Sequence, residues 1–215
     1  MNDHRAKPAA LWTIANIMVR TIAKDYDAKR DKILIAAARV FAQRGVAGAS
    51  MAEVAKACGI SKGNIYHYYD SKLAILFDIL DSYLCRLRDR IIAVELNHNN
   101  AQASLERLCV AILDAYQGMD REHKIQTEGI PLLPEDQQTI LKGYQRDMVR
   151  HLEAFLIVSN KGLQSDTETR RAAAMSVFGM LNWFYMWNTR QGAKGRAAYA
   201  KTVAQMTLGG VANIS

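Results

Sequence analysis

Proline is scarce in this 215-residue chain, with only Pro8, Pro131 and Pro134. So few helix breakers leave long helices uninterrupted. Sustained alternation of apolar and polar residues is also missing, which argues against half-buried strands. Cysteine is limited to Cys58, Cys85 and Cys109. An odd count with no C-x-x-C pair excludes a disulfide framework and a zinc site of the usual spacing, so the three read as buried thiols in a reducing cytoplasm. The strongly apolar residues 172–187 are too short for a membrane span and carry Ser176 and Asn182. Residues 9–19, "AALWTIANIMV", follow a basic start as a signal-peptide core would, yet Asn16 interrupts the run and no small-residue cleavage site follows. They read instead as part of an N-terminal extension over residues 1–26, either disordered or a helical arm, with Met18 as an alternative start. No G-x-S-x-G, H-E-x-x-H, glycine-rich phosphate loop or Cys/His pair is present, and the five histidines are scattered. These absences point away from an enzyme, and no cofactor or metal is expected.

What is present is apolar bulk and uneven charge. Half of the residues are hydrophobic, ample for one large domain or two small ones. The net charge of +7 is concentrated toward the N-terminus: residues 1–70 carry 11 Lys and Arg against 6 Asp and Glu, and the remainder 17 against 15. A basic third on a near-neutral remainder suggests an anionic partner for that third.

The periodicity is helical throughout, giving an all-α fold. Ile33, Ala36, Ala37, Val40 and Phe41 predict a helix over 28–44 that Gly45 stops. Ser50 with Glu53 three residues on is a capping-box signature, opening a helix that ends at Gly59. Ser61 then opens a helix of barely two turns. A long helix starts at Lys72 with Leu73, Leu76, Phe77, Leu80 and Leu84 on one stripe. After the polar break "ELNHNNAQAS", helices are expected at about 102–118, 121–129, 134–159, 167–190 and 195–208. This gives an extension over 1–26, a compact unit over 27–72 and a larger helical body over 73–215.

Two short helices joined by "CGIS" and braced by a preceding amphipathic helix describe a helix-turn-helix, whose second helix enters the DNA major groove. Its inner face would be Ile65 and Tyr69. Its outer face carries Lys62, Asn64, Tyr66, His67 and Tyr68. Phenol and imidazole groups donate to phosphate oxygens, and Asn64 offers both a donor and an acceptor to base edges. Gly63 lets the backbone approach DNA closely. Lys72 stands at a helix N-terminus, which also favours phosphate.

Residues 28–76, and "ISKGNIYHYYDSK" above all, resemble the DNA-binding domain of the TetR family of bacterial repressors. The resemblance rests on Ile33, Ala37, Phe41, Gly45, Ser50, Met51, Ile60, Ser61, Lys62, Gly63, Tyr66, Tyr68, Tyr69, Ser71, Lys72 and Leu76. It implies phosphate binding by the Ser50 hydroxyl and DNA contacts from Lys62, Gly63, Asn64, Tyr66, His67, Tyr68 and Lys72. Many members have Phe where Tyr69 stands, which assigns Tyr69 to the core. The resemblance also implies a helical body that binds a small effector and a homodimer formed by the last two long helices.

Within the body, "AAAMSVFGMLNWFYMW" is apolar nearly all round, so more than one face needs cover. Met175, Phe178, Gly179, Asn182, Tyr199, Val203 and Met206 are candidate dimer residues. The segments "REHKIQTEGIPLLPEDQQ" and "SVFGMLNWFYMWNTRQG" resemble the TetR-type repressors of phenylacetate degradation, whose effector is phenylacetyl-CoA. On that resemblance Trp183 and Trp187 would flank the acyl group. Tyr116, His123, Gln126, Tyr144 and Arg190 would supply further contacts, with Arg190 and Lys194 near a CoA phosphate. The expected partners are double-stranded operator DNA, an acyl-CoA effector and a second copy of the chain, with no membrane. The alternatives are a regulator answering to a free aromatic or fatty acid or another hydrophobic molecule, and one with no small ligand.

Overall fold

The computed structural model describes residues 9–188 and 192–213, with side chains from residue 25 onward apart from those of 185 and 186. Among the described residues every regular element is a helix. The chain divides into two compact units, Met1–Leu76 and Phe77–Ser215.

The first unit holds α1 (Ala9–Gly48), α2 (Met51–Cys58), α3 (Lys62–Ile65) and the start of α4 (Lys72–Ile92). α1 begins at Ala9, well ahead of the expected 28, so the described part of the extension is helical. Gly45 breaks its regularity with φ 72° and ψ 154°, a backbone that a side chain resists. Ile33, Phe41, Val54, Ile65, Ile75 and Leu76 are almost fully buried and form the core. α2 carries a complete capping box: Ser50 Oγ accepts from Glu53 N–H, and Ser50 N–H donates to Glu53 Oε2 at 2.9 Å. Its far end closes on Gly59 in the left-handed region, with Gly59 N–H donating to Lys56 O and Ile60 N–H to Ala55 O. That double bond is the Schellman arrangement, and it turns the chain sharply into α3.

The second unit holds the rest of α4, then α5 (Ala101–Tyr116), α6 (Asp120–Gly129), α7 (Glu135–Ser159), α8 (Thr167–Trp187) and α9 (Ala193–Val211). α5 packs against α9; Leu105, Leu108, Cys109 and Ile112 of α5 and Ala200, Val203, Ala204 and Val211 of α9 are buried. Side chains tie the helices together where packing alone leaves polar groups. Arg196 bonds Asp114 at 2.6 Å, Tyr199 donates to Met180 O at 2.9 Å, and Asn160 donates to Val211 O at 2.8 Å. Burial pushes the Cys109 thiol up to about 12, so it stays protonated and inert. No helix among the described residues is long and apolar enough to cross a membrane.

Candidate nucleic-acid interface and effector cavity

The turn after α2 presents α3 as a short exposed ridge. Ser61 caps it, accepting from Asn64 N–H at 3.1 Å. α3 is a single turn, shorter than expected, and the backbone N–H groups of Tyr68 and Tyr69 donate back to Ile65 O in irregular turns. Ile65 and Tyr69 anchor the ridge inward, and the Tyr69 hydroxyl accepts from Arg30 Nε at 3.0 Å. Lys62, Gly63, Asn64, Tyr66 and His67 point the other way and are exposed. Tyr68 is half-buried and stacks on Tyr26, ring centroids 4.9 Å apart. No carboxylate interrupts the stretch from Lys62 to Tyr69. A Cβ at Gly63 would meet nothing within 4 Å, and its φ is not in the positive region. The fold therefore does not demand glycine there.

Two of the expected phosphate-binding groups have partners within the chain. Lys72 Nζ donates to Ala47 O at 2.8 Å and Ala49 O at 2.9 Å, tying the first turn of α4 to the loop between α1 and α2. One of its three N–H donors remains for a phosphate. The Ser50 hydroxyl lies 2.9 Å from Glu53 Oε2, and its bonds hold the Glu53 carboxyl below its ordinary range. Both residues stand at the rim of the ridge, but both are first of all parts of the fold.

The second unit encloses a cavity of about 370 Å³. Leu84, Leu87, Met148, Val149 and Phe178 form its apolar wall. Tyr116, His123 and Gln126 add polar atoms. The His123 ring nitrogen Nδ1 lies 3.1 Å from the Tyr83 hydroxyl, and its ring meets Tyr116 edge-on at 5.0 Å. Burial holds the His123 pKa below its ordinary value despite nearby Asp120, so the imidazole is neutral at pH 7.

The remaining expected effector residues lie elsewhere. Tyr144 is outside the lining: its hydroxyl donates to Asp81 at 2.9 Å, and Arg88 sits over its ring. Trp183 and Trp187 are 63% and 56% exposed, and neither lines the cavity. Trp187 instead packs edge-on against Phe184 and Tyr199. Arg190 lies outside the described residues, and Lys194 is exposed on α9 away from the lining. Three residues expected at a dimer interface, Met175, Phe178 and Asn182, line the cavity, and Met175 is also 48% exposed. Val203 is buried within the subunit, and Tyr199 is half-buried and stacks on Phe184. Gly179 and Met206 are exposed. The cations Lys142, Arg146 and Arg171 at the cavity were not anticipated. The four-residue spacing of Lys142 and Arg146 was a readable sign that they share a helix face.

A capped helix, a Schellman turn and an exposed basic-aromatic ridge are the features of the helix-turn-helix class of DNA-binding domains. Comparison with known proteins gives the particular family. Residues 33–79 match the family model "Bacterial regulatory proteins, tetR family", and residues 98–211 match "Tetracyclin repressor-like, C-terminal domain". The chain belongs to the TetR family of transcriptional regulators, which are not enzymes. A TetR-family regulator from Bordetella parapertussis 12822 is 30% identical, with a TM-score of 0.75 over 86% of this chain and 97% of that one. The repressor KstR2 of Rhodococcus jostii is 30% identical over 95 residues, 44% of this chain and 45% of its own. The chain thus spans about half the length of the first curated relatives it matches. The fold is also that of AibR, solved in complex with isovaleryl coenzyme A and operator DNA, at 20% identity and a TM-score of 0.63 over 83% of this chain and 97% of that one.

Proposed function

We propose that the protein is a cytoplasmic, homodimeric repressor that leaves its operator when an acyl-CoA occupies the cavity, with phenylacetyl-CoA as the effector and phenylacetate catabolism as the regulated process. The observation that carries this reading is the cavity itself. Its apolar wall suits an acyl or phenyl group, and its neutral polar trio of Tyr116, His123 and Gln126 suits a thioester carbonyl. The choice of phenylacetyl rests on the resemblance of residues 121–138 and 176–192. That AibR binds isovaleryl coenzyme A supports the thioester class.

The DNA contacts in this reading come from Lys62, Gly63, Asn64, Tyr66, His67 and Tyr68, with Ser50 and the free donor of Lys72 at the rim. Leu84 and Leu87 of the cavity wall stand on α4, the helix whose first residue, Lys72, ties down the loop before α2. A ligand that shifts α4 would therefore act on the helix that Lys72 ties to the loop before α2. The dimer forms through exposed surface on α8 and α9, where a Cβ at Gly179 or Gly209 would meet no other side chain within 4 Å.

The test is a gel shift on operator DNA with phenylacetyl-CoA, aliphatic acyl-CoAs, free CoA and phenylacetate, paired with calorimetry. Phenylacetyl-CoA should release the DNA, and free phenylacetate should act weakly. No thioester binding below about 100 µM, where the favourable free energy is only about 5.5 kcal/mol, would remove the effector and leave the DNA-binding regulator standing.

A further inference from the structure

The apolar wall accounts for an acyl group but not for the charge beside it. The cavity lining holds three cations and no carboxylate. Lys142 and Arg146 stand one turn apart on α7, and Arg171 stands on the second turn of α8. All three are exposed. Lys142 gives one donor to Gln138 Oε1 at 2.8 Å. Neither Arg146 nor Arg171 forms an ion pair with a described residue, and the neighbouring Asp147 pairs with Arg150 instead. Like charges that line one cavity repel each other, and no acid of the lining offsets them. Beside a low-dielectric wall they focus a positive potential on whatever enters. A free carboxylate brings one negative charge. Two guanidinium forks and an ammonium from two helices match several phosphate oxygens at once.

We infer that Lys142, Arg146 and Arg171 form a phosphate-binding subsite at the cavity, holding a nucleotide-bearing thioester by its phosphates while its acyl end fills the apolar interior. The inference rests on the acyl-CoA reading above and moves the phosphate contacts from the Arg190 and Lys194 region to α7 and α8. Each guanidinium takes two phosphate oxygens in its planar fork, and Lys142 acts as a point charge. The phosphates then bridge α7 to α8, a link that a free acid cannot make. The cation rim is thus what separates a CoA thioester from the acid it derives from.

The test is titration calorimetry of the full chain with two probes. Phenylacetyl-CoA carries the nucleotide, whereas phenylacetyl-pantetheine keeps the acyl group, the thioester and both amides but has no phosphate. The wild-type chain should bind the CoA thioester at least about tenfold tighter. The double variant Arg146→Gln/Arg171→Gln should erase that margin while changing affinity for the pantetheine thioester less than about twofold. Added salt should weaken CoA-thioester binding to the wild type and much less to the variant. Arg150→Gln, on α7 but outside the lining, should change neither probe. Equal wild-type affinity for the two probes, equal loss of both in the double variant, or undiminished CoA affinity would overturn the subsite and leave the acyl-CoA reading intact. A wild-type chain that binds neither probe would overturn both.

Discussion

Tyr66 and Lys72 separate two ways in which a residue would serve the proposed DNA binding. Tyr66 is 45% exposed on the ridge and its loss removes no core. Tyr66→Ala should weaken operator binding with an unchanged melting temperature. Lys72 bonds two backbone carbonyls of the α1–α2 loop. Lys72→Ala should lower stability by about 1–2 kcal/mol as well as operator affinity, with a salt slope smaller by roughly one contact. Melting curves beside salt-dependent gel shifts check both, and unchanged operator affinity in both variants would remove the ridge as the interface. His123 gives a prediction in pH. Its pKa in the folded chain lies below the ordinary value of about 6.5, so the unfolded chain binds a proton that the folded chain resists. Stability should therefore fall as pH drops below about 6.5 toward that depressed value. His123→Gln should show a shallower loss between pH 7 and 5 in thermal melts, and an equal loss would place the acid sensitivity elsewhere. The inward turn of Tyr69 was legible, because Ile65 four residues earlier marks a shared face. The carbonyl partners of Lys72 were not legible, since they lie 23 and 25 residues away in sequence and meet it only through packing.

At the scale of elements, caps were easier to read than faces. Ser50 with Glu53, Gly59 and Ser61 are local signals, and the structure shows the bonds that each implies. The helix positions of the second unit followed from periodicity and polar breaks for the same reason. The faces of α8 were harder. Trp183 and Trp187 are four apart, and that spacing fixes a common face without saying which neighbour it meets. Phe178, Leu181 and Phe184 take the buried side, so the tryptophans are left outside. An exposed strip of Met175, Gly179 and Trp183 on α8, with Met206 on α9, leaves apolar surface for a second copy. Gly179→Glu places a charge on that strip where the subunit itself has room for a side chain. The variant should keep its fold by circular dichroism and become monomeric by light scattering at micromolar concentration, because an unpaired charge buried in an interface is costly. A dimer of unchanged stability would move the interface off this strip.

Across the whole molecule, charge and cavity assign different partners to different parts of the chain. Residues 1–70, with their surplus of Lys and Arg, include the ridge that would meet DNA, and the cations of the cavity would meet the effector. If the two partners favour different arrangements of the same dimer, their binding free energies are coupled and the coupling is reciprocal. Shifting a population from 99:1 bound to 1:99 takes roughly 5.5 kcal/mol of differential affinity, about 10⁴-fold. A ligand that touches only the apolar wall gains little of this. One that also bridges α7 and α8 through phosphates has more contacts to differ between states. Phenylacetyl-CoA should accordingly bind the free protein more tightly than the operator-bound protein, by the same factor that it weakens operator binding. Calorimetry with and without saturating operator DNA measures the first factor, and effector-titrated gel shifts measure the second. Equal effector affinity in the presence and absence of operator would mean that the cavity binds its ligand without controlling the DNA, and the effector would then have no regulatory role.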